Sequence, residues 1–90
     1  MRLLLAEDEV EMSRALVAVL EHSGYEVDAV YNGLEAIKKA KSGVYSCMIF
    51  DIMMPKLDGM EAIREIRSSG DTTPVIFLTA SLLDIIFPRI

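Results

Sequence analysis

Cys47-Met48-Ile49-Phe50-Asp51-Ile52 is the stretch on which the fold turns. Its side chains are apolar at consecutive positions except for Asp51 near the end, so both faces of the segment ask for cover. A strand covered on both faces belongs inside a parallel sheet with helices packed above and below it. Working outward, Leu3-Leu4-Leu5-Ala6 has the same continuous apolar character and reads as a second buried strand. Downstream, Pro74 leads Val75-Ile76-Phe77-Leu78 into another, while Tyr25 to Val30 alternates in part and reads as a fourth.

The segments between these strands have helical spacing. From Glu9 to His22, the apolar residues Met12, Ala15, Leu16, Val19 and Leu20 recur on one face. Ser23-Gly24 then offers a stop, because glycine accepts the left-handed conformation after a helix. Asn32 is suited to cap a second helix in which Leu34, Ile37 and Ala40 face inward and Lys38, Lys39 and Lys41 face water. Gly43 closes it. Met60, Ile63 and Ile66 mark a third helix that ends at Ser68-Ser69-Gly70. The order βαβαβαβ predicts an α/β fold. Right-handed crossovers restrict it to a doubly wound parallel sheet of about four strands and three helices.

Composition narrows the function. A chain of 90 residues with 52% hydrophobic content suits one small domain. The net charge of −5 argues against a direct nucleic-acid footprint. The single cysteine, Cys47, excludes an internal disulfide and a cysteine zinc site, and its apolar neighbours predict a buried small hydrophobe, compatible with a reducing cytoplasm. The opening Met1-Arg2-Leu3-Leu4-Leu5-Ala6 is too short an apolar run for a signal peptide and meets Glu7-Asp8-Glu9 at once. No stretch approaches the length of a membrane span.

The polar residues matter most where the strands end. Glu7 and Asp8 follow the first strand, Asp51 ends the third and Thr79 ends the fourth. All fall at carboxyl ends, so all point to one edge of the sheet, where open α/β sheets bind ligands. Carboxylates gathered there repel one another unless a hard divalent cation joins them. Such a site suits phosphoryl transfer to an in-line carboxylate. Taken singly, each residue also has a plain structural reading: Asp8 as a helix cap, Asp51 as a loop starter, Thr79 as a β-branched strand residue.

These residues resemble the receiver domain of two-component response regulators, a flavodoxin-like fold. Leu3-Leu4-Leu5-Ala6-Glu7-Asp8-Glu9 resembles the first strand and acidic pair of that family. Gly24-Tyr25-Glu26-Val27, Asn32-Gly33-Leu34-Glu35-Ala36 and Pro74-Val75-Ile76-Phe77-Leu78-Thr79-Ala80 resemble later landmarks. The most specific match is Asp51-Ile52-Met53-Met54-Pro55-Lys56-Leu57-Asp58-Gly59. The resemblance implies that Asp51 accepts a phosphoryl group from a sensor histidine kinase or a phosphotransfer protein. It also implies that Glu7, Asp8, Asp51 and the backbone carbonyl of Met53 hold Mg2+. Thr79 would hydrogen-bond the phosphoryl group, and Pro55 and Gly59 would shape the loop beside the acceptor. The implied module is cytoplasmic, is no enzyme beyond its own phosphorylation, and touches neither nucleic acid nor membrane.

The resemblance stops after Ala80, so residues 1–80 read as the receiver-like unit and 81–90 as an atypical apolar tail. A complete receiver continues to a fifth strand ending in a lysine, and here no lysine follows Lys56. Ser81 to Leu83 is too short for a crossover to a fifth parallel strand. The expectation is a homodimer or higher oligomer formed through the edge of the fourth strand or through the tail. The missing lysine also supports an alternative, a signalling-impaired domain that serves as an interaction or oligomerisation unit. A magnesium-dependent hydrolase is a third class. It needs a general acid where Met53 stands.

Overall fold

The computed structural model describes residues 1–78. Four strands, β1 (Arg2–Ala6), β2 (Glu26–Val30), β3 (Cys47–Asp51) and β4 (Val75–Leu78), alternate with three helices, α1 (Val10–His22), α2 (Gly33–Ser42) and α3 (Gly59–Ser68). All strands are parallel, in the order β2-β1-β3-β4. The predicted fold class holds, and the element ends shift by a few residues. Tyr25 is not in β2, because its N–H donates to Leu20 O (3.1 Å) in the chain's exit from α1.

The chain first steps from β1 to β2, then returns over β1 to β3. Right-handed crossovers therefore put α1 on one face and α2 with α3 on the other. The direction reverses between β1 and β3, and the register pairs Leu5 with Ile49 and Ala6 with Phe50 there. Leu4, Ala6, Met48 and Phe50 alternate onto one face and pack against Ala36, Ala40, Ala62 and Ile66 of α2 and α3. Leu3 and Leu5 are buried on the opposite face, the side of α1. Helices α1 and α3 stop where predicted, at Gly24 and Gly70, whose φ of 97° and 92° suit glycine.

Three expectations about side chains fail. Leu34, which the helical spacing turns inward, is exposed. The inner face of α2 is built from small residues, Gly33, Ala36 and Ala40, with Ile37 beside them, and Leu34 lies about 100° round from Gly33. In α1, Ala15 and Val19 are exposed and Ser13 is buried instead. Helix α1 packs against β1 and β2, with Ser13 buried, Leu16, Val17 and Leu20 half-buried, and the flank bearing Val19 exposed. Cys47 is half-buried rather than enclosed. The tail 81–90 and Thr79 lie outside the described residues.

Candidate functional site

The site forms where the sheet reverses direction. Ala6 and Phe50 are register partners, so the residues that follow them meet at the carboxyl edge. Glu7 is anchored by its own backbone, whose N–H donates to Val30 O (3.1 Å) at the end of β2. Its side chain is buried, at 6% exposure, while Asp8 is exposed and Asp51 half-buried. One carboxylate oxygen from each of Glu7, Asp8 and Asp51 lies within 4.8 Å of the others. Asp8 is not the cap of α1. The N-cap position belongs to Glu9, and no side chain hydrogen-bonds there.

This grouping is electrostatically costly. Glu7 Oε2 is buried and has no hydrogen-bond partner among the described residues. Burial, then the Asp51 carboxyl beside it, and then Asp8 and Glu9 push the Glu7 carboxyl up to about 8 from its ordinary 4.5. An orphaned buried carboxylate oxygen facing two further acids fits a hard divalent cation, which prefers oxygen donors and neutralises the charge that burial penalises.

The segment after Asp51 is held tightly. Met53 N–H donates to Asp51 Oδ1 (3.1 Å), while the Met53 side chain is exposed. Leu57 N–H donates to Pro55 O (2.8 Å), and Lys56 between them takes a φ of 68°, an unusual value for a side-chain-bearing residue. Gly59 N–H donates to Ile52 O (2.9 Å), which closes the loop on itself. A Cβ on Gly59 would lie 2.2 Å from Asp51 O, so only glycine permits this approach. Asp58 then caps α3 by accepting from Glu61 N–H (2.9 Å). That bond holds the Asp58 carboxyl below the usual carboxylate range.

The structure thus brings together Glu7, Asp8 and Asp51, three of the residues singled out in the sequence, and sets Met53 beside them through its backbone. Sequence reasoning missed the Met53 N–H as a partner of Asp51, and also the close seat of Gly33 on Leu57, since motif spacing does not report backbone contacts.

Comparisons with known proteins agree with this arrangement. The family model of the response regulator receiver domain matches residues 3–85. The transcriptional regulatory protein DltR of Streptococcus agalactiae is 40% identical over 80 residues, which cover 89% of this chain and 36% of that protein. The chain spans about a third of the length of the curated relatives it matches. The Thermotoga maritima response regulator TrrA, solved in complex with Mg2+ and BeF, superposes with a TM-score of 0.83 at 38% identity, covering 96% of this chain and 76% of that one. The complex of histidine kinase ThkA with TrrA gives a TM-score of 0.81 at 42% identity, covering 88% of this chain and 68% of that one. With its sheet order, its acidic edge and these matches in agreement, the chain belongs to the response regulator receiver domain family.

Proposed function

We propose that this receiver domain takes a phosphoryl group onto Asp51 from a phosphohistidine, with Mg2+ held by Glu7, Asp8, Asp51 and the backbone carbonyl of Met53. The observation that carries the reading is the buried Glu7 oxygen, without a partner among the described residues, within a cluster of three carboxylates. When bound, the cation neutralises the carboxylates and draws the phosphoryl oxygens to the site. A carboxylate oxygen of Asp51 attacks phosphorus, a phosphorus–oxygen bond forms, and the phosphorus–nitrogen bond of the donor breaks. The imidazole leaves and takes up a proton. The Met53 N–H holds Asp51 Oδ1 and so leaves the other carboxylate oxygen to react. Thr79, directly after β4, is assigned to hydrogen-bond a phosphoryl oxygen. No turnover of a further substrate is proposed.

The partner proposed is a sensor histidine kinase or phosphotransfer protein, supported by the ThkA–TrrA complex among the similar structures. A cytoplasmic setting goes with that partner. No helix among the described residues is long and apolar enough to cross a membrane. Self-association along β4 is also proposed, because this strand lies at the edge of the described sheet and Ile76 on it is exposed. Light scattering at micromolar concentration should report a dimer, and a clean monomer would end that part of the proposal.

The test of function is intact mass after incubation with Mg2+ and acetyl phosphate. One labile phosphoryl adduct is expected, absent from Asp51→Asn. Metal binding with no adduct points to an interaction module instead. Steady phosphate release from varied esters points to a hydrolase.

A further inference from the structure

We infer that Gly33, at the start of α2 and outside the acidic cluster, is a positioning residue for the acceptor loop. A Cβ built on Gly33 would lie 2.0 Å from Leu57 O, 2.7 Å from Leu57 C and 2.8 Å from Leu57 Cβ. Two of these are backbone atoms, which cannot rotate away as the end of a flexible side chain can. The start of α2 therefore sits directly on the Leu57 peptide, in the loop that joins Asp51 to α3.

Both sides of this contact are stiff. On the helix side, Glu35 N–H donates to Asn32 Oδ1 (2.9 Å) and Asn32 Nδ2 donates to Glu35 Oε1 (3.1 Å). This reciprocal cap fixes the first turn of α2. On the loop side, the Leu57-to-Pro55 hydrogen bond, the left-handed Lys56, the buried Met54 and the Gly59-to-Ile52 hydrogen bond leave few ways to absorb a shift. A displaced Leu57 moves the loop, and the loop carries the Met53 N–H that orients Asp51 Oδ1. Gly33 thus acts on Asp51 through Leu57 and Met53, and its lack of a side chain sets how the loop is seated.

Gly33 is not in the left-handed region, so alanine there carries no backbone penalty, and alanine is the better helix former. Gly33→Ala therefore isolates the steric contact. Gly43→Ala is the control. It crowds the other end of α2, where the added Cβ would meet the Tyr45 ring at 2.7 Å.

The inference rests on the phosphoacceptor reading, so the experiment has one arm for each. In metal-free protein, two-dimensional amide spectra of Gly33→Ala should show the Met53 and Gly59 resonances displaced, and those of Gly43→Ala should leave them in place. With Mg2+ and acetyl phosphate, Gly33→Ala should phosphorylate more slowly by about tenfold or more, since small misplacements of reacting groups are costly. Gly43→Ala should match the wild type. Undisplaced Met53 and Gly59 amides in a folded Gly33→Ala protein would overturn the inference, and so would an unchanged rate. Should Gly33→Ala fail to fold, Asn32→Ala serves instead, because it removes the cap that holds Gly33 in place. A shifted Met53 amide there supports positioning, and an unshifted one overturns it. A wild-type protein that takes up neither Mg2+ nor phosphoryl overturns the functional reading alone, since the metal-free spectra still test the contact.

Discussion

The two ends of the sheet treat their acids in opposite ways. At the amino end, Arg2 reaches Glu26 Oε2 (2.5 Å) and Asp28 Oδ1 (2.9 Å), and the Tyr45 hydroxyl donates to Asp28 Oδ2 (2.7 Å). Each of those acids has a partner within the chain. At the carboxyl end, Glu7, Asp8 and Asp51 crowd together, and a buried Glu7 oxygen has none among the described residues. Natural sequences satisfy buried polar groups almost everywhere, and the places that break the rule tend to be functional. The same fold can satisfy its acids, and it leaves one set open where the sheet order reverses.

Four predictions probe that contrast. The largest effect is expected from Asp51→Asn, which should abolish the phosphoryl adduct seen by intact mass. It should also raise the melting temperature of metal-free protein, because it removes one of the charges crowding Glu7. A matching change at the other end, Asp28→Ala, should do the reverse. It leaves the buried Tyr45 hydroxyl without its acceptor and Arg2 with Glu26 alone, and should cost about 1–2 kcal/mol in chemical denaturation. Mg2+ affinity should stay at the wild-type value.

The third prediction concerns pH. The Glu7 carboxyl is raised to about 8 in the folded chain from 4.5, so the folded state binds the extra proton. Its contribution to stability is therefore full below pH 4.5 and is lost as pH rises toward 8. Metal-free protein should lose stability across that window, and the stabilisation by Mg2+ should grow over the same range in thermal melts. At the amino end, Tyr45 is raised to about 12 from 10.0 by burial and then by its bond to Asp28. That contribution survives to pH 10.0 and fades only as pH climbs through about 12.

The smallest effect concerns the other orphan. Ser13 Oγ, on the buried side of α1, also has no partner among the described residues. A lone unpaired hydroxyl in apolar surroundings is a plain cost, so Ser13→Ala should be neutral or stabilise by up to about 1 kcal/mol. Unchanged Mg2+ affinity in that variant would separate an incidental orphan from the one at Glu7.

Much of this is legible in the sequence. The apolar runs at Leu3–Ala6, Cys47–Phe50 and Val75–Leu78 located three strands, and their continuous character made the sheet parallel. Strand ends alone put Glu7, Asp8 and Asp51 on one edge. What periodicity misjudged was depth. Leu34 and Val19 lie on apolar stripes yet are exposed, because α2 packs through small residues and one flank of α1 has no described cover. Hydropathy ranks residues by their tendency to be buried, and a glycine face such as that of Gly33 scores as nothing at all. The seat of Gly33 on Leu57 and the Met53 N–H on Asp51 Oδ1 depend on approaches of a few ångströms in which the backbone takes part. No one-dimensional spacing encodes these.

The most direct measurement is the titration of the Glu7 side-chain carboxyl by carbon-detected NMR, without metal and with saturating Mg2+. The account predicts a midpoint near 8 in the metal-free protein, falling to its ordinary 4.5 or below once Mg2+ is present. A Glu7 midpoint that stays where it was when Mg2+ is added would contradict the claim that this edge is left open for a cation.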